Sequence, residues 1–165
     1  MTKILVTGNT VFFNGKTYRC AIGRSGFAPK HQEGDGITPV GIFPLRECWY
    51  RADKMDTPET GLRLKIIQPD DGWCDDPKSL EYNRHVKLPF AASHENLWRD
   101  DDMYDLIVPM GYNDDPIVSG LGSAIFLHVA KPDYSYTEGC VALAKADLLE
   151  ILPNLDTNSL IEIKK

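Results

Sequence analysis

Apolar and polar residues alternate with a period of two along most of this chain, the spacing of strands that bury one face. Val11-Phe12-Phe13 and Lys16-Thr17-Tyr18 flank Asn14-Gly15. An Asn-Gly pair accepts positive φ at both central positions of a type I′ turn, so these residues are expected to form a tight hairpin. Further strand-like runs occupy residues 19–22, 41–50, 62–67, 105–109, 123–130 and 159–163, separated by Gly/Pro/Asp-rich connections such as 33–39 and 69–73. One helix is expected at 144–152, where Leu148, Leu149, Ile151 and Leu152 make an apolar stripe, Asp147 suits the dipole and Pro153 is the stop. A second short helix fits residues 94–100. Residues 69–93 carry little periodicity and read as a long loop, which Trp73, Tyr82 and Phe90 would anchor over the body. The sum is a mostly β domain, a sandwich or barrel with one or two short helices packed on it.

Length and charge narrow the partners. With 165 residues and 42% hydrophobic composition, the chain is expected to be a single domain over 1–165. A net charge of −6 and the lack of a basic stretch argue against nucleic acid. No run reaches the roughly 18 apolar residues of a membrane span, so no membrane partner is expected. The first residues lack the apolar core and cleavage site of a secretory signal, which makes a cytoplasmic location the expectation. Oligomeric state is not readable.

The four cysteines, at 20, 48, 74 and 140, form no CxxC pair and have no histidine at zinc-ligand spacing, so free thiols and no metal or other cofactor are expected. Asp70-Asp71 and Asp75-Asp76 lack the alternation of a calcium loop and read as solvated. Cys140 stands apart. Gly139 precedes it, the polar run 133–137 leads into it, and His128 lies twelve residues upstream in a strand-like run. A thiol needs a base to become a good nucleophile, and a neighbouring glycine lets main-chain N–H groups turn toward an oxyanion. The helix expected just beyond should favour the thiolate. On its strand His128 shares a face with Phe126 and Ala130, opposite Leu127 and Val129, and a hairpin-like return is expected to bring it beside Cys140. Ser123, Ser135, Thr137 or a main-chain carbonyl are all candidates to orient the imidazole.

At these residues the chain resembles the L,D-transpeptidase catalytic domain, also called YkuD-like. That family has a histidine followed across a loop by Ser/Thr-His-Gly-Cys, an apolar residue, Arg and an apolar residue. Phe126-Leu127-His128 matches the first part and Thr137-Glu138-Gly139-Cys140-Val141-Ala142-Leu143 the second. Thr38-Pro39-Val40-Gly41-Ile42-Phe43 is similar to the family's Thr-Pro-x-Gly-x-Phe strand start, and residues 122–125 to its run into the histidine strand. The resemblance covers about residues 20–155 and implies a YkuD-like β-sandwich. It also implies acyl transfer at an L–D peptide bond of peptidoglycan stem peptides, with Cys140 as nucleophile, His128 as base, and N–H groups around Gly139 and Cys140 as the oxyanion site. Two positions depart from the pattern, Glu138 for histidine and Ala142 for arginine; Arg84 or Arg24 is the expected replacement cation. His94-Glu95, Tyr112-Asn113 and Thr137 are candidates to contact substrate, with His94, Tyr112, Asn113, Arg84 and Thr137 taken as the substrate-binding set.

The expected activity is that of an L,D-carboxypeptidase removing terminal D-Ala from muropeptide tetrapeptides. An L,D-transpeptidase making 3-3 cross-links or exchanging D-amino acids is the near alternative, and a non-catalytic glycan- or peptide-binding β-domain the distant one. A sortase-like reading lacks its Thr-Leu-x-Thr-Cys pattern, and papain-like peptidases place Cys before His.

Overall fold

The computed structural model describes residues 2–165. The Asn-Gly turn forms as the pattern predicts, with φ of 48° at Asn14 and 75° at Gly15. It joins β2 (Thr10–Phe13) to β3 (Lys16–Ala21), and β1 (Lys3–Thr7) pairs antiparallel with β2 on the other side. Ile4, Val6, Val11, Phe13, Tyr18 and Cys20 alternate inward, so all three strands bury one face.

Two short strands, β4 (Phe27–Ala28) and β5 (Thr38–Pro39), pair parallel and lead into β6 (Gly41–Pro44), β7 (Glu47–Tyr50) and β8 (Arg63–Ile66). After a separate small sheet come β12 (Leu106–Pro109), β13 (Phe126–Val129), β14 (Val141–Leu143) and β15 (Leu160–Ile163). Ten strands make one sheet in the order β6-β15-β1-β2-β3-β14-β13-β12-β7-β8. Although β6 and β7 follow each other in sequence, they lie near opposite ends of that order. The crossing at Leu45, fully buried and bridged to Met110, therefore curls the sheet onto itself around an apolar core. The helix α1 (Lys145–Ile151) continues as a tight turn over Leu152–Asn154 and buries Leu148, Ile151 and Leu152 against this core.

Residues 69–93 are not a long loop. They contain β9 (Asp71–Cys74) and β10 (His85–Lys87), which with β11 (His94–Asn96) form a three-stranded antiparallel sheet in the order β10-β9-β11. The helix that fitted 94–100 is absent because His94–Asn96 pair with β9 instead. These strands are only three or four residues long, so no period-2 run announces them. Asp71 explains part of the concealment. It looks like a solvated loop acid, yet it is buried and accepts hydrogen bonds from Gln68 N (2.7 Å) and His85 Nε2 (2.7 Å), with Lys87 Nζ 2.8 Å away.

The small sheet covers the second face of β12 and β13. There Trp49, Ile67, Leu97, Tyr104, Ile107, Phe126 and Cys140 form a separate, aromatic core with Trp73 packed edge-on to Phe126, 5.1 Å between rings. Asn83 stitches the layers together. Its amide donates to Tyr112 O and Asn113 O and accepts from Trp73 Nε1 and Ala124 N.

Candidate active site

His128 and Cys140 are brought together by strand pairing rather than by a hairpin. β13 and β14 run parallel with Leu127 opposite Val141 and His128 opposite Ala142, and residues 130–140 make the crossover. The alternation of β13 sends Leu127 and Val129 into the aliphatic core and Phe126 and His128 to the aromatic side. One residue before β14, Cys140 sits close to Phe126, whose N–H points at Sγ from 3.4 Å.

Both side chains line one cavity of about 370 Å³, shared with Lys30, Glu33, Asp75, Glu95, Arg99, Tyr104 and Ser123 among others. Cys140 is 8% exposed and His128 2%. Nδ1 of His128 lies 2.9 Å from the carbonyl of Val129; a carbonyl only accepts, so Nδ1 carries the proton and Nε2 is left with its lone pair. Of the candidate orienting groups, it is a main-chain carbonyl that serves. Ser123 instead donates to Glu33 (2.6 Å). Tyr104 meets the imidazole edge-on at 5.4 Å. Burial holds the His128 pKa down at about 4, with Arg99 adding to the effect.

The thiol is not the helix-activated thiolate that the sequence suggests. The three residues of β14 separate Cys140 from a helix that begins at Lys145, and the dipole falls off within a turn. Desolvation, with the charge of Glu95 adding to it, pushes the Cys140 pKa up to about 12. Its S–H donates to Ala124 O at 3.2 Å. The resting pair is therefore a neutral thiol beside a neutral imidazole.

Around Cys140 the loop is locked by two close approaches. Gly139 has φ +139°, and a Cβ there would stand 2.8 Å from Ile37 O, so glycine alone fits. Thr137 Oγ1 donates to Cys140 O (2.6 Å) and accepts from Gly139 N (3.1 Å). These bonds make Thr137 a loop lock and occupy the Gly139 N–H, while its side chain still lines the cavity. Thr38, buried in β5, accepts from Gly23 N (2.8 Å), which ties the Thr-Pro segment to the residue bridged to Thr137.

The other predicted contacts lie elsewhere. His94 bonds Ala92 O and packs on Phe90, because alternation along β11 turns its neighbour Glu95, not His94, into the cavity. Tyr112 donates to Leu121 O, and Asn113 spends its amide on Val118 and Gly122, so both pin the loop that precedes β13. Arg84 lines a different groove, with Arg46, Trp49 and Trp73. Arg24 does reach the cavity mouth, where Nε bonds Glu138 (3.0 Å) and Nη2 bonds Gly34 O (2.8 Å). Ala142, standing in for the family's arginine, is buried between Ala21 and His128. The cations on the cavity wall are Lys30, Arg99 and Lys131.

What sequence reasoning missed is most of the ring of polar groups around the thiol: Tyr104, Glu33 and Lys30. The sequence offers Glu95 beside His94 as a possible contact, yet the substrate-binding set takes His94 in its place. Lys30, ion-paired to Asp35 with both side chains buried, has no sequence signal beyond the Gly34-Asp35-Gly36 turn. No metal-ligating cluster of three or more His, Cys, Asp or Glu occurs among the described residues, and all four cysteines are free.

The family model of the L,D-transpeptidase catalytic domain, YkuD, matches residues 3–163. A search of the curated proteins finds no match. Among solved structures, the helical cell shape determining protein Pgp2 from Campylobacter jejuni aligns with 99% of this chain at 16% identity and a TM-score of 0.50. The likeness is one of fold, and the chain spans 46% of that protein's length.

Proposed function

This chain belongs to the L,D-transpeptidase catalytic domain family, and we propose that it is a cysteine acyl-transfer enzyme of peptidoglycan stem peptides, acting as an L,D-carboxypeptidase. The observation that carries the reading is the single cavity lined by both Cys140 and His128, whose Nδ1 is tied to Val129 O so that Nε2 keeps its lone pair.

The chemistry starts from neutral partners. With a thiol near 12 and an imidazole near 4, proton transfer must accompany attack rather than precede it. Sγ gives up its bond to Ala124 O, passes its proton to Nε2 and bonds the carbonyl carbon on the L side of the scissile bond. Since Thr137 holds the Gly139 N–H, the Cys140 N–H is the main-chain donor we assign to the oxyanion. Collapse breaks the C–N bond, and the imidazolium returns its proton to the departing D-Ala amine. Water then adds to the thioester with His128 again as base, giving the tripeptide carboxylate and the free thiol.

Hydrolysis is favoured by depth. Cys140 is 8% exposed at the wall of a modest cavity, where water reaches a thioester more readily than a second peptide. Transpeptidation draws support from one feature. A larger cavity, about 790 Å³, shares Met103 and Lys131 with the first; its Asp101, Asp102 and Asp105 are already paired with Arg99, Lys54 and Lys145, which leaves Asp100 as the carboxylate for an amine acceptor. Incubating a muropeptide tetrapeptide in H₂¹⁸O with D-Met present separates the two. We expect ¹⁸O-labelled tripeptide to dominate; a dominant D-Met exchange product makes the domain a transpeptidase. A cytoplasmic site of action is part of the proposal, supported by the four unpaired thiols; cell fractionation tests it.

A further inference from the structure

The charges on the wall of the nucleophile's cavity do not balance. Lys30 is paired with Asp35, Arg99 with Asp101 through Nε and Nη2 (2.9 and 2.6 Å), and Glu138 with Arg24. Three carboxyl groups remain, and hydroxyls hold all of them. Glu33 accepts from Tyr82 and Ser123, Asp75 from Ser93, and Glu95 from Tyr104 (2.8 Å). Among the described residues none of the three has a cation within ion-pair distance, and Lys131 is the one cation of the wall without a carboxylate.

Glu95 differs from the other two by position. It lies on β11 beside the nucleophile, its one polar contact is Oε1 with Tyr104, and Tyr104 in turn packs edge-on against His128. A half-buried carboxylate that feels a cation, Arg99, only from beyond ion-pair distance is costly, and a ligand cation in direct contact would remove the cost. We propose that Glu95 is a specificity residue that binds a free ammonium on the acyl-donor residue, so that an amine-bearing donor is selected at the step that forms the thioester. The inference rests on the acyl-transfer reading above. It also couples recognition to reactivity. The charge of Glu95 is among the causes that hold the Cys140 thiol protonated, and burial raises the carboxyl pKa of Glu95 itself. An ammonium seated between them cancels the field that opposes thiolate formation. The resting enzyme keeps a quiet thiol, and the right donor helps to ionise it.

The test uses two synthetic tetrapeptides that differ only by N-acetylation of the donor residue's side-chain amine. The wild-type protein and Glu95→Gln are followed by steady-state kinetics and by intact mass of the Cys140 acyl-enzyme. Wild type should lose about tenfold or more in kcat/KM on the acetylated donor, the size expected when a polar partner is left unpaired. Glu95→Gln keeps an oxygen for Tyr104; it should lose a similar factor on the free amine and hold or gain on the acetylated peptide, where the charge that opposes the thiolate is gone. Wild-type rates equal within about twofold on the two donors overturn the proposal without any reliance on the variant, and so does an equal fall of Glu95→Gln on both. In either case a Cys140 acyl-enzyme still upholds the acyl-transfer reading. Failure of both donors to acylate Cys140 brings down both.

Discussion

On one face of β12 and β13 lie Leu106, Val108, Leu127 and Val129, packed with Ile4, Val6, Leu143, Leu148 and Ile161. On the other lie Ile107, Phe126 and His128, packed with Trp49, Tyr104 and Cys140. The same two strands thus feed two cores, one mostly aliphatic and one aromatic, and the chemistry we propose is confined to the second. Branched aliphatic chains interdigitate to crystal-like density and leave no space for a substrate. Rings are flat and rigid, and they meet edge to face. Trp73, Tyr104 and Phe126 do so around Phe126 at 5.1 and 5.8 Å. The rings also present an edge or a hydroxyl to polar neighbours, as Tyr104 does to His128 and Glu95. One side holds the fold, while the other keeps a cavity open.

The sharpest break between the two sides is made at Cys140 and His128. Cys140→Ala should abolish turnover, and His128→Gln should lower it by roughly 10²–10⁴-fold, while both proteins unfold cooperatively near the wild-type midpoint. Peptide hydrolysis and thermal melts measured on the same preparations decide it. Residual turnover in Cys140→Ala at the level of His128→Gln would remove Cys140 as nucleophile. On the opposite face Leu127→Ala should do the reverse, costing about 2–5 kcal/mol of stability and leaving kcat of the molecules still folded nearly intact. If kcat collapses at full folding, the two cores are not separable.

The split also explains what could be read from the chain. The Asn-Gly hairpin, the strands at 105–109 and 159–163, the stop at Pro153 and the placing of His128 and Cys140 on one cavity all left local marks, because each depends on a turn chemistry or a period. The aromatic side is assembled from β9, β10 and β11, three- and four-residue strands whose partners are 12 to 24 residues away, and short pieces have no period to read. Hence the sheet reads as a loop in the sequence, and His94 reads as the contact where Glu95 faces the site. The thiol shows a different failure. Proximity of a helix in sequence suggested a stabilised thiolate, but three strand residues and full desolvation decide the matter in space.

A pH scan sharpens the comparison further. The buried imidazole titrates at about 4 when folded against an ordinary 6.5 when unfolded. The unfolded chain therefore takes up this proton first, so stability contributed by neutral His128 is full above about pH 6.5 and is lost as pH falls toward 4. At about 1.4 kcal/mol for each pH step, the loss is at most about 3 kcal/mol. Urea midpoints from pH 7 to 4 should fall more steeply in wild type than in His128→Gln, since other groups, such as Asp35 with its pKa near 2, titrate alike in both. Parallel curves would mean that His128 is not buried as a neutral ring. Activity should likewise persist well below pH 6, because the base remains unprotonated.

The smallest effect is expected at the lip of the cavity, where this chain departs from its family's pattern. Glu138 occupies the usual histidine position, is 77% exposed on its side chain, and meets Arg24 at 3.0 Å. An exposed pair of this kind contributes about 0–1 kcal/mol, since solvent screens it and both side chains lose freedom in forming it. Glu138→Gln should therefore leave the melting midpoint almost unchanged. Arg24 keeps its bond to Gly34 O (2.8 Å), so the mouth retains its shape, and kcat/KM should move by no more than a few fold. The family's histidine, restored as Glu138→His, should behave the same way, because position 138 points outward while the base that matters is held inside by Val129. Kinetics of the two variants beside wild type test the point. A gain or loss of a hundredfold in Glu138→His would show that the lip takes part in the chemistry, and that the division between a working interior and a passive rim is drawn in the wrong place.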